Sequence, residues 1–99
     1  MTDEDDALLC ALLARASRGQ TQALAELYDL TVARVYALAQ AITRSAAAAE
    51  AVTENVYCEV WRQAASFDRR HGPVMAWLQA LTRRFAMAEG ALRSLIATG

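Results

Sequence analysis

Residues 49–84 read AEAVTENVYCEVWRQAASFDRRHGPVMAWLQALTRR. Two amphipathic helical patterns flank a short basic loop, residues 66–72. In the first pattern Val52, Val56, Tyr57, Val60, Trp61 and Ala64 recur at three- and four-residue steps, which puts them on one side of a helix. Glu54, Asn55, Cys58, Glu59 and Arg62 fall on the other side. Glu59 and Arg62 have the spacing of a helical ion pair. The second pattern opens at Pro73, whose missing N–H is no loss in a first helical turn, and Gly72 frees the chain to turn into it. Val74, Trp77, Leu78, Leu81, Phe85 and Ala88 form its apolar stripe. Arg83 points away from that stripe and Arg84 lies at its edge. Trp61 and Trp77 both sit on stripes and are expected in the core. The loop supplies Asp68, Arg69, Arg70 and His71. A guanidinium is planar, always charged and forked, which suits a phosphate.

The flanking sequence continues the helical theme. Thr2 with Asp5 forms a capping-box pattern that starts a first helix. Leu8, Leu9, Leu12 and Leu13 give it an apolar stripe, and Gly19 ends it. Thr21 is expected to cap a second helix running to about Thr43, with Leu24, Leu27, Tyr28, Val35, Leu38 and Ile42 at helical period. Arg34 and Tyr36 fall at or outside the core edge. Ser45 is the expected N-cap of the third helix. The fourth is expected over residues 73 to about 89, with Gly90 weakening or ending it. Leu92, Leu95 and Ile96 then suggest a short terminal turn packed on the bundle.

Ninety-nine residues suit one domain with one modest core. Apolar residues make up 56% of the chain and there is a single proline. Alanine, the strongest helix former, is abundant. The expected fold is all-α, a compact bundle of about four helices, with residues 1–99 as one domain and its core over about 8–89. No apolar run reaches membrane-spanning length, and the acidic start is the reverse of a signal peptide's, so membrane insertion is not expected and a cytoplasmic location is. Cys10 and Cys58 lack metal-ligand spacing. Cys10 reads as buried filler, Cys58 as a residue of the polar side. The net charge of −1 hides an asymmetry: residues 1–59 hold nine acids and four arginines, residues 60–99 two acids and six arginines. The basic half contains the loop and the last helix, a local footprint for an anionic partner. All ten basic residues are arginine.

At this point the ordered set of motifs becomes recognisable. Tyr57, the run Glu59-Val60-Trp61-Arg62, Phe67-Asp68, Gly72 and Ala76-Trp77-Leu78 fall in the order and spacing of region 2 of bacterial sigma factors. The chain resembles the short extracytoplasmic-function type most. Leu24-Ala25-Glu26-Leu27-Tyr28 and Arg34-Val35-Tyr36 are similar to that family as well, so the resemblance covers roughly residues 8–84. It implies a helical domain with two tasks. The third helix would dock on the β′ clamp helices of core RNA polymerase through Glu50, Glu54, Asn55, Cys58, Glu59 and Arg62. The loop and fourth helix would hold the melted minus-10 promoter DNA, on its non-template strand, through Phe67, Asp68, Arg69, Arg70, His71, Gln79, Arg83 and Arg84. An anti-sigma factor is a further partner that the resemblance leaves open.

The sequence also departs from the family pattern. Ala48 and Ala51 stand where acids are common. Glu54-Asn55 replaces the usual Gln-Glu, and residues 88–91 replace an Asp followed by a basic run. Family members continue into a helix-turn-helix domain, region 4, which these 99 residues do not contain.

No catalytic pattern emerges. The single histidine, His71, has no nucleophile pattern beside it, there is no Gly-rich phosphate loop, and no Cys/His cluster suggests zinc. No enzyme activity, cofactor or metal is expected. The alternative to a transcription-initiating domain is a sigma-like interaction module that binds an anti-sigma factor or the polymerase without initiating transcription. A bundle with no nucleic-acid role is a third reading.

Overall fold

A computed structural model describes residues 2–98 of the chain. Among them are four α-helices and no strand: α1 (Asp3–Ser17), α2 (Thr21–Thr43), α3 (Ala46–Gln63) and α4 (Val74–Thr98). Two single 3-10 turns, Ala64–Ser66 and Arg69–His71, carry the chain from α3 into α4. Helix α2 packs against the other three and lies at the centre of the bundle.

Local chemistry sets most helix ends. Thr2 accepts a hydrogen bond from the Asp5 backbone N–H, and the Asp5 carboxylate accepts one from the Thr2 N–H, a reciprocal capping box. At the other end of α1, Gly19 has φ +87°. Its N–H donates to the Ala16 carbonyl and that of Gln20 to the Arg15 carbonyl, the paired bonds of a Schellman stop. Ser45 caps α3 by accepting from the Ala48 N–H. The α2 start differs from expectation. Its N-cap is Gln20, with no side-chain cap bond, and Thr21 is already helical.

The start of α4 is held from across the molecule. The Val74 N–H donates to Oδ1 of Asp6, on α1, at 2.8 Å. The other Asp6 oxygen lies 3.6 Å from Arg69 and 3.8 Å from the Cys10 thiol, which donates to it. One carboxylate from the first helix thus caps the last helix and ties down the intervening loop. Cys10 is half-buried in this contact rather than a core filler.

The core is aliphatic and closely spaced. Leu9, Leu12, Leu13, Leu27, Val35, Val52, Val56, Val60, Val74 and Leu78 are its larger members. Ala23, Ala39, Ala49 and Ala86 are completely buried between them, and small side chains there let the helix axes approach. Tyr57 inserts from α3. Its hydroxyl shares a hydrogen bond of 2.6 Å with Thr31 Oγ1 on α2, which also donates to the Leu27 carbonyl. Burial pushes the Tyr57 phenol up to about 12, against a smaller downward pull from the Thr31 bond. Leu8 lies outside the core, exposed on α1.

Helix α4 does not end at Gly90. It runs through the glycine to Thr98, and Leu92, Leu95 and Ile96 are exposed rather than packed on the bundle. One interior glycine costs about 1 kcal/mol relative to alanine, too little to stop a helix flanked by alanine, methionine and leucine. A Cβ placed on Gly90 meets nothing within 4 Å. Gly90→Ala is therefore expected to stabilise the domain by roughly 0.5–1 kcal/mol, measured as a higher midpoint in urea unfolding.

Candidate functional site

The residues singled out on α3 divide between two surfaces. Glu50, Glu54 and Cys58, at helical spacing, line an open groove between α3 and α2. From α2 come Leu24, Tyr28, Val32 and Tyr36, and at the far end stands Trp61, 39% exposed. The groove encloses about 970 Å³. Its floor is apolar and aromatic, and two carboxylates mark its α3 edge. Tyr28 packs edge-on against Tyr57 with ring centroids 4.8 Å apart, which anchors the floor to the core. Trp61, expected inside, is thus the largest apolar group of an outer surface.

Glu59 and Arg62 turn the other way. Glu59 is buried, against the expectation of an outward polar residue. Its carboxylate accepts from Arg62 Nε at 2.8 Å, Arg62 Nη2 at 2.9 Å, Gln63 Nε2 at 2.6 Å and Arg84 Nη2 of α4 at 3.3 Å. The Arg62 hydrogen bond, with further help from Arg84, holds the carboxyl below its ordinary range against the upward push of burial. Asn55 is exposed and is not part of the groove lining.

The loop residues gather at a second concavity of about 320 Å³. Phe67, Asp68 and His71 line it, together with Gln63, Ser66, Gly72, Ala76, Trp77 and Ala80. Phe67 and Trp77 form its aromatic wall, tilted rings 5.2 Å apart. Gly72 makes the fold-back possible: at φ 125°, ψ 175° it occupies a region open to glycine alone. Asp68 shapes the turn by accepting from the Arg70 backbone N–H at 2.9 Å, and it binds the Arg70 guanidinium through both carboxylate oxygens. Those bonds to Arg70, side chain first, lower the Asp68 carboxyl.

The four arginines proposed for DNA are held differently. Arg70 is paired to Asp68, Arg69 reaches back to Asp6, and Arg84 is bound to Glu59. Arg83 forms no ion pair among the described residues. Arg83 and Arg84 lie on α4 two turns beyond Ala76 and one turn beyond Ala80, so they extend the wall of the second concavity along the helix. Gln79 is half-buried one turn before Arg83. Arg69 faces the α1 side, next to Asp6, and not the concavity. The aromatic Trp77, assigned from sequence to the core, is half-buried and faces the concavity on its open side.

Among the described residues no helix is long and apolar enough to cross a membrane. The bundle thus carries two concave surfaces, an acid-edged aromatic groove and a loop pocket with an aromatic wall. The chain belongs to the sigma-70 region 2 family, which it matches over residues 27–89. It is similar to the "ECF RNA polymerase sigma factor SigK" of Mycobacterium ulcerans (strain Agy99), 40% identical over 79 residues that make up 80% of this chain and 42% of that protein. The protein of the same name from Mycobacterium tuberculosis (strain ATCC 25618 / H37Rv) gives the same identity and coverage. That from Mycobacterium sp. (strain KMS) is 38% identical over 80% of this chain and 41% of its own length. The chain thus spans about two-fifths of the length of these curated relatives.

Proposed function

We propose that this chain is a sigma-factor domain that links core RNA polymerase to melted promoter DNA in transcription initiation. The polymerase side is the α2–α3 groove. An exposed tryptophan, two tyrosines and a leucine in one concave strip fit the apolar ridge of a partner helix. Glu50 and Glu54 at the edge select a helix whose flank is basic. The β′ clamp helices are the partner the family resemblance points to. The DNA side is the loop pocket and the α4 face beyond it. The pocket can receive one unstacked base against Phe67 and Trp77, while the arginines take the backbone.

The observation that carries this reading is the continuity of the pocket with Arg83 and Arg84 along one face of α4. A single strand needs a place for a base and a positive track leading away from it. The intramolecular acids do not close that track. Arg69 and Arg70 are more than half exposed, and solvent-screened pairs of this kind exchange readily for phosphate, while Arg84 is 59% exposed with its guanidinium still open to solvent.

Charge reversal at Arg70, Arg83 and Arg84 tests the DNA half. Binding of a minus-10 single strand should fall at least about tenfold and its salt dependence should flatten, because phosphate contacts carry both. Unchanged affinity would remove DNA from the reading. One observation favours a second reading, an interaction module that does not initiate transcription: Arg69, Arg70 and Arg84 each already face an acid. That module would bind polymerase or an anti-sigma factor through the groove, and no reconstituted promoter would yield a transcript.

A further inference from the structure

Glu59 was expected to face the polymerase. In the structure it is buried and bound to residues of its own and the neighbouring helix. Its side chain is 10% exposed, and a carboxylate offers about four lone-pair sites. Four hydrogen bonds reach it, one on Oε1 from Arg62 and three crowded on Oε2 from Arg62, Gln63 and Arg84. Arg62 and Gln63 belong to the same helix as Glu59. Arg84 does not, and it reaches across from α4, 25 residues away in sequence.

Arg84 is held on a second side as well. Its guanidinium carbon stands 5.0 Å from the centroid of the Phe85 ring, within cation–π range. Yet the side chain remains 59% exposed. Only one of its five N–H groups is used by Glu59. The others are free to meet solvent or a ligand, from a guanidinium whose direction is already set. Arg83, the adjacent residue, has no such tether among the described residues.

We propose that Glu59 is a positioning residue: its buried carboxylate clasps Arg84 from the neighbouring helix and pre-orients that guanidinium for a DNA phosphate. This rests on the reading of α4 as the DNA face. Fixing a long side chain in advance removes rotamer entropy that binding would otherwise cost, so a tethered arginine binds phosphate better than a free one. The opposite effect is also physically possible. A carboxylate close to a phosphate repels it, and removing that charge alone would strengthen DNA binding. The two effects have opposite signs, which makes the proposal decidable.

The experiment is a titration of the 99-residue chain with a short fluorescent minus-10 single strand across a salt series. It compares the wild type with Glu59→Gln, Arg84→Gln, their double variant and Arg83→Gln. Arg84→Gln should weaken binding about three- to tenfold and lower the salt slope by roughly 0.7, the value for one phosphate contact on a single strand. Glu59→Gln should reproduce most of that loss, and the double variant should be no weaker than Arg84→Gln alone. Thermal midpoints check that each variant is folded. If Glu59→Gln does not fold, Glu59→Asp replaces it, since a side chain shorter by one methylene keeps the charge but draws back from Arg84. Tighter DNA binding by Glu59→Gln would overturn the proposal, and so would losses from the two sites that simply multiply. If neither Arg83→Gln nor Arg84→Gln changes DNA binding, the DNA face itself is wrong and the proposal falls with it.

Discussion

Trp61→Ala is expected to weaken binding to core RNA polymerase by at least about thirtyfold, the effect of losing an interface anchor worth 2 kcal/mol or more. Trp61 stands at the end of an apolar groove and is 39% exposed, so its indole face is available to a partner. Tyr28, Val32 and Tyr36 give that partner a continuous floor. The substitution removes little from the core and replaces tryptophan with the best helix former, so α3 should stay intact. Equilibrium titration with core enzyme, alongside circular dichroism of the variant, measures both parts. Glu54→Arg should act differently. Reversing a rim charge slows association and alters its salt dependence more than it speeds release.

The largest effect on stability is expected from Leu78→Ala. Leu78 is fully buried at the first turns of α4, within the cluster that joins all four helices. Truncation removes its transfer free energy and leaves a cavity that neighbouring valines fill only in part, a loss of about 2–5 kcal/mol. A domain of this size commonly has about 5–10 kcal/mol in total. The thermal midpoint should therefore drop by more than about 10 °C. Leu92→Ala, on the exposed end of the same helix, should change stability by less than about 0.5 kcal/mol. The contrast separates the part of α4 that builds the bundle from the part that extends beyond it.

Much of the fold is readable from local chemistry. The capping box at Thr2, the stop at Gly19 and the cap at Ser45 each act within a few residues, so the sequence displays them directly. The apolar period places Leu27, Val35, Val56 and Leu78 inside, where they are found. Gly90 misled because a propensity of about 1 kcal/mol is weak against the preferences of its neighbours. Non-local contacts were not readable. Asp6 caps α4 from 68 residues away, and Glu59 meets Arg84 across two helices. A polar residue three positions before an arginine reads as a surface pair, and nothing in the period reveals that a second cation will bury it.

The candidate site was legible by position more than by role. The α3 residues Glu50, Glu54 and Cys58 share one groove, and Phe67, Asp68 and His71 share one pocket. The two tryptophans were placed inside because a helical stripe has edges that hydrophobicity alone does not resolve. Trp61 lies one turn beyond the buried Tyr57 but also next to the exposed Arg62. At such an edge, the neighbouring helix decides whether the ring is covered. Here α2 covers the ring only in part, and the two helices leave an aromatic groove between them.

The most direct measurement of the central claim is a titration of the purified chain against core RNA polymerase, with Trp61→Ala and Glu54→Arg in parallel. The account predicts saturable binding by the wild type, a large loss with Trp61→Ala and a salt-sensitive loss with Glu54→Arg. No binding by the folded wild type at about 50 μM, an affinity weaker than about 6 kcal/mol, would contradict it.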